Sequence, residues 1–378
     1  MLAALTFALI YSKQLGVDRR GLLTFVMMSN LVFSILLISG ISLHLRNITR
    51  REESREALGT YISVVLLFSF ITPLLNLVVL NVYQEITGAN IPNNLLYVCV
   101  LYCFFSTLSY GMHDALLLIK SIKIASVMDF SVVLLQIAGY LTLVYSGETS
   151  YFVSVLISIS ISYLVIVSST LLLIIYVYNP KITLSWSSLR TLLLDSSTPT
   201  LVNMTNQLLE RLDKVFLGLQ TSAADLGRFS TSQSLLGLSR FVFDALAKLT
   251  IARDRSFFSW KKSKFFLATL IALLTLFIAV IADRFITLFL GSEWKLPFLM
   301  ILSLGFIEIL RGIYSLVIMN SLRSDNYLKL KRVTLVQLLI GLLVQPLAIH
   351  LCGLWGSIVC SSAILFIGIY YLRIRHHE

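Results

Sequence analysis

Apolar runs of about twenty residues follow one another along almost the whole chain, parted by short polar gaps. A run of that length crosses a hydrocarbon core of about 30 Å as a helix. None shows the apolar–polar alternation of a membrane-barrel strand. The pattern predicts twelve helical spans, at residues 1–12, 22–43, 59–81, 95–118, 125–146, 151–178, 198–220, 225–250, 265–290, 297–321, 333–352 and 354–373. The first is too short to cross, and its "MLAALTFALIYS" lacks the basic flank and cleavage site of a signal peptide. The expectation is a first helix of which this chain carries only the later part. Pro73 and Pro346 are expected to kink spans three and eleven.

The gaps alternate in charge. Every second gap, and the tail, is basic: Arg46, Arg50, Arg51 and Arg55; Lys120 and Lys123; Lys181 and Arg190; Arg253, Arg255, Lys261, Lys262 and Lys264; Arg323, Lys329, Lys331 and Arg332; Arg373 and Arg375. The other gaps hold only Lys13, Arg19, Arg20 and Lys295. By the positive-inside rule both termini face the cytoplasm. The outward gaps are short, as in "YSGETS", "QTSAAD" and "CGLWG", and even the longest, "NVYQEITGANIPNN", leaves almost no extracytoplasmic domain.

Composition agrees. The 378 residues are 57% hydrophobic and 13% charged, against about 25% charged for a soluble domain. The formal charge of +11 resides in the gaps, so it sets orientation and does not mark a nucleic-acid surface. Cys99, Cys103, Cys352 and Cys360 all lie in apolar runs and read as packing residues. P-loop, G-x-S-x-G, H-E-x-x-H and C-x-x-C motifs are absent. No cofactor and no metal is expected.

Residues 179–197, "YNPKITLSWSSLRTLLLDS", place Trp186, Leu189 and Leu193 at helical spacing beside Lys181 and Arg190, the pattern of a short interfacial helix. This segment divides the chain into a half at 1–178 and a half at 198–378, each of six spans. Gly21 opens span two and Gly227 opens span eight, 206 residues later. Two related six-helix halves are a common transporter plan.

Span seven carries the chemistry. "NQLLERLDKVFLG" (206–218) holds Glu210, Arg211, Asp213 and Lys214 within five positions. A charge at the bilayer centre costs about 2.5–3.5 kcal/mol on insertion scales. Asn203, Gln207, Arg211 and Lys214 make one polar stripe, and Asn206, Glu210 and Asp213 a neighbouring one. In span eight Gln233, Arg240, Asp244 and Lys248 share a face, and span ten carries Glu308 and Arg311. The first half offers Asn30, His113, Asp114, Asp129 and Gln136. Arg240 with Asp244, and Glu308 with Arg311, stand at pairing distance along a helix. Structural pairing and a water-filled passage are both open on this evidence.

Three stretches carry a resemblance: "LGVDRRG" after span one, "SSTPTLVNMTNQLLERLDKVFLGLQTSAADLGRFSTSQSL", and "LGSEWKLPFLMILSLG". They are similar to Wzx-type polysaccharide flippases of the multidrug/oligosaccharidyl-lipid/polysaccharide superfamily. In those proteins the second half opens on a Pro-started helix with an Asp in its outer part, then a Gly–aromatic pair; here these are Pro199, Asp213, Gly227 and Phe229. The resemblance implies an all-α, MATE-like integral protein of the bacterial inner membrane. It would flip undecaprenyl-pyrophosphate-linked oligosaccharide to the periplasmic leaflet for O-antigen or capsule synthesis. A polysaccharide polymerase, a chain-length regulator and membrane lipid are the implied partners, with a proton or sodium gradient as the driving force. Arg211, Lys214, Arg240, Lys248, Arg311, Asn203 and Gln207 are then the candidates for contacting substrate. Asp213, Asp244, Glu308 and Glu210 would couple ions or hold the bases. A cation-coupled drug exporter of the same superfamily and a membrane polymerase are the competing readings; short outward gaps disfavour the second.

The charge alternation makes a direct prediction. Cysteines substituted for Arg255 or Lys331 should resist membrane-impermeant thiol reagents in intact cells and react once the membrane is opened. Ready labelling from outside inverts the topology.

Overall fold

The computed structural model describes residues 2–38, 54–89, 91–118, 122–147, 150–178, 180, 197–240, 264–323 and 327–374. Among the described residues there are eleven α-helices and no strand. They are α1 (Leu2–Ile38), α2 (Ser54–Thr87), α3 (Asn93–Leu118), α4 (Ile122–Ser146), α5 (Tyr151–Tyr178), α6 (Ser197–Gln220), α7 (Ala223–Leu236), α8 (Lys264–Phe289), α9 (Phe298–Arg323), α10 (Tyr327–Cys352) and α11 (Leu354–Ile374). Eight of them are long and apolar enough to cross a membrane. A helix meets that environment because each turn satisfies its own backbone groups. The chain is a multi-pass helical membrane protein.

One expected boundary differs. Residues 13–21, read as a loop between spans one and two, are helical on both sides of Gly16, which alone departs from helix at φ 75, ψ 170. Lys13, Gln14, Arg19 and Arg20 are good helix formers, so polarity here marks a break of a single residue. Only glycine takes that φ without strain. Pro73 and Pro346 both lie inside continuous helices, α2 and α10. Ser222 caps α7 by accepting the Asp225 N–H at 3.1 Å.

The chain divides into two compact units, Met1–Leu15 with Phe25–Arg211, and Gly16–Thr24 with Leu212–Glu378. The division falls within α6, and the interfacial helix expected around Trp186 lies outside the described residues.

In the first unit α2 packs on α3, α3 on α5, and α4 on both α3 and α5. Ile38, Tyr61, Val65, Met112 and Ile174 form its buried centre. The Tyr61 hydroxyl donates to the Gly111 carbonyl at 3.0 Å. Gly111 admits that approach, since an added Cβ would lie 2.5 Å from Val65 Cγ1. Beside it runs a polar seam. Ser29 donates to Asn76 Oδ1 at 3.1 Å, Asn76 donates to Cys103 Sγ at 3.0 Å, and Ser34 meets Thr107 at 2.9 Å. Buried hydroxyls and amides in a membrane helix need such partners.

In the second unit α8 packs on α9, α9 on α11, and α10 on both α9 and α11. This repeats the order α2, α3, α5, α4 of the first unit. The helix α7 lies against α8 and α9. Between α8 and α9 a short turn, Ser292–Trp294, buries Trp294 almost completely.

Candidate functional site

The charges of α6 meet two fates, divided by position along the helix. Toward its start the helix belongs to the first unit. There Gln207 accepts a hydrogen bond from the Tyr110 hydroxyl of α3 at 3.0 Å. Arg211 stands 3.9 Å from Glu210, their side chains 30% and 22% exposed. The Arg211 Nε is buried without a hydrogen-bond partner. Leu208, one turn before Arg211, is buried.

From Leu212 the helix belongs to the second unit, and its next acid is sealed inside. Asp213 is 1% exposed. Arg311 of α9 reaches it at 3.3 Å with one guanidinium nitrogen and reaches Glu308 at 2.5 Å with the other. Gln233 of α7 donates to the same Glu308 oxygen at 3.1 Å. The Lys214 backbone N–H donates to Asp213 Oδ1 at 2.7 Å, and the Lys214 side chain is also buried. Three helices thus converge on one guanidinium set between two carboxylates. A lone buried carboxylate is prohibitive in such a setting, and the fork geometry of arginine is suited to bridging two.

Glu308 sits under the point where α7 ends. Its Oε2 lies 4.0 Å from where a Cβ on Gly237 would be, so the space at the helix end and the acid are adjacent. Beyond it, Tyr314 donates to Gln337 at 2.5 Å, and Gln337 donates to the Ile364 carbonyl at 2.9 Å.

Arg240 is half-buried at the end of its described segment. Asp244 and Lys248 lie outside the described residues, as does the side chain of Asn203. In the first unit His113 and Asp129 form an exposed pair at 3.1 Å. Local spacing on α9 pointed to the Glu308–Arg311 pair. Spacing within a helix could not show that Asp213 and Gln233 join it, because these contacts span 98 and 75 residues. Tyr110 and the Tyr314–Gln337 pair carried no sequence signal, being ordinary residues in apolar runs.

No family model matches the sequence, and no curated protein matches it. Solved structures do. The chain is similar to an inward-facing multidrug resistance MATE family transporter of the MOP superfamily, with a TM-score of 0.66 at 13% identity, covering 99% of this chain and 94% of that one. It is also similar to the lipid II flippase MurJ in an inward closed conformation, with a TM-score of 0.65 at 13% identity, covering 100% of this chain and 85% of that one. A MATE structure in the bent conformation gives 0.54 at 13% identity, covering 98% and 90%. The chain therefore has the MATE-type helical fold. At these identities the likeness is one of fold.

Removing one member of the buried cluster should be far worse than removing all of its charge. Arg311→Met leaves Asp213 and Glu308 unbalanced and should cost about 3–5 kcal/mol. Combining it with Asp213→Asn and Glu308→Gln should recover most of that, read as the melting temperature of purified protein in detergent. Equal loss in both variants would show that the ion pairs do not carry the effect.

Proposed function

We propose that this protein is a flippase that carries a pyrophosphate-linked oligosaccharide on a polyprenyl lipid from the cytoplasmic to the periplasmic leaflet of a bacterial inner membrane. The observation that carries this reading is Arg211. It is a guanidinium part-way along a helix of an integral membrane protein, partly exposed and only loosely held by Glu210. A membrane protein retains such a charge where it meets water or an anion. Arginine keeps its charge in a low-dielectric site and grips phosphate oxygens through a planar fork. Arg240, half-buried on the next span, is a second base of the same kind.

Glycan hydroxyls need a wet, polar path, which Gln207 and Arg211 would offer, while a prenyl chain can remain in lipid. Two of the fold relatives are described as a drug transporter and as a lipid II flippase, so the fold serves both kinds of cargo. The bases on α6 favour the anionic one. Asp213 and Glu308 are the groups through which a proton or sodium gradient would reset the carrier. A polymerase and a chain-length regulator would receive the product on the far side.

The test is export itself. Arg211→Ala and Arg240→Ala should each lower surface polysaccharide at least about tenfold, the loss expected for one charge-assisted hydrogen-bonding group of about 1.5–3 kcal/mol. Arg→Lys should retain partial export, with protein levels in the membrane unchanged throughout. Normal export by both alanine variants would refute the assignment.

A further inference from the structure

The first unit carries a charge pair that folding does not account for. His113 of α3 stands five residues before that helix ends at Leu118, and Asp129 of α4 seven residues after it starts at Ile122. The charge alternation puts this end of both helices at the cytoplasmic side. His113 Nε2 lies 3.1 Å from one Asp129 oxygen and 3.3 Å from the other, with the side chains 35% and 63% exposed. An exposed ion pair contributes next to nothing to stability. A carboxylate this open at membrane level faces water or a polar ligand, since hydrocarbon would expel it.

The second unit shows that the helix pair does not need the charges. There α9 and α10 begin at Phe298 and Tyr327, each 205 residues after α3 and α4 begin at Asn93 and Ile122. The same shift places Ile318 and Thr334 where His113 and Asp129 stand. Ile318 is buried, and the Thr334 hydroxyl donates back to the Leu330 carbonyl at 2.9 Å. The equivalent helices pack without an ion pair at that place.

What the pair offers is acceptors. An ionised carboxylate only accepts hydrogen bonds, at about four lone-pair sites. His113 Nε2 therefore carries the shared hydrogen, and in the neutral ring Nδ1 is a further acceptor. Among the described residues Asp129 meets His113 alone, so most of its lone pairs are open. An anion is repelled there, whereas neighbouring hydroxyls, donors held side by side, fit.

The pair also begins a polar line. Tyr110 lies three residues from His113, on the same side of α3, and its hydroxyl donates to Gln207 of α6 at 3.0 Å. Arg211 follows Gln207 by four residues. All of them belong to the first unit. The two helices run in opposite directions, so His113 and Arg211 are separated by about 10 Å of helical rise.

We propose that the Asp129–His113 pair is a subsite for glycan hydroxyls at the cytoplasmic end of the first unit, met by a sugar remote from the pyrophosphate that Arg211 holds. The inference rests on the proposed transport of a pyrophosphate-linked glycan and names residues that select the glycan.

The test compares two lipids in liposomes that carry the full-length protein: a polyprenyl pyrophosphate bearing one N-acetylglucosamine, and the same lipid bearing a chain of three. The rate of crossing is followed against mole fraction to give a KM for each. Asp129→Leu and His113→Leu should each raise the KM for the three-sugar lipid, relative to the one-sugar lipid, at least about tenfold, the loss of a hydrogen bond to a charged group. Asp129→Asn still accepts from hydroxyls and from His113, so its KM ratio should stay within about threefold of the unmodified protein. A structural role would move both lipids together. Equal change for both lipids, or no change in either leucine variant, overturns the subsite. A loss in Asp129→Asn as large as in Asp129→Leu also overturns it and marks a cation site instead. Should His113→Leu fail to accumulate, Asp129, the more exposed of the two, decides. If the unmodified protein moves only the one-sugar lipid, the subsite falls alone; if it moves neither, the transport reading falls and takes the subsite with it.

Discussion

A charge inside hydrocarbon must be paired, hydrated or used, and the structure of α6 follows from that one constraint. Within five positions it carries four ionisable groups, and the protein disposes of them by position along the helix. Asp213 is closed off from solvent and tied to Arg311, which Glu308 also holds. Among the described residues, Arg211 meets a single carboxylate, at 3.9 Å, and its side chain is part-exposed. The first arrangement joins α6 to α9 and, through Gln233, to α7. The second leaves a partly exposed guanidinium on α6, the group to which the proposed function assigns an anion. A helix this charged would insert poorly alone, so the burial of Asp213 against α9 and α7 is part of what lets it fold.

Within each unit the remaining spans stack in the same order. Membrane helices lack a hydrophobic drive toward one another, so close fit and small residues decide where they touch. Gly111 against Val65 in the first unit, and Gly356 against the Ala348 carbonyl between α10 and α11, are such fits. The crossing at Gly21 and Gly227 belongs to the same physics with one difference. It joins segments 206 residues apart in the sequence, each glycine facing a carbonyl of the other's helix.

Much of the fold could be read from periodicity, because runs of apolar residues in a membrane protein have few alternatives to helix. The helices α2 to α5 and α9 to α11 fall close to the expected spans. Local spacing also exposed Glu308 with Arg311 and the two stripes of α6. What escaped was tertiary. Arg20, which the sequence places in an outward gap, is 6% exposed, because the helix resumes immediately after Gly16. Asp213 stood in the neighbouring stripe with Asn206 and Glu210, yet it is the most deeply buried acid of the cluster, a placement set by α9. The shift of 206 residues was visible in sequence as two glycines; that these glycines face each other's segments required the three-dimensional structure.

The central claim, that the bases of α6 serve an anionic lipid-linked cargo, is tested most directly by transport with purified protein in liposomes. A fluorescent disaccharide on polyprenyl pyrophosphate, placed in both leaflets, would be followed by the fraction that an impermeant quencher can reach. The protein should bring the inner-leaflet lipid into reach of the quencher, should do so less as the Arg211→Lys variant, and should leave a cationic dye where it is. Extrusion of the dye with no movement of the pyrophosphate lipid would contradict the claim.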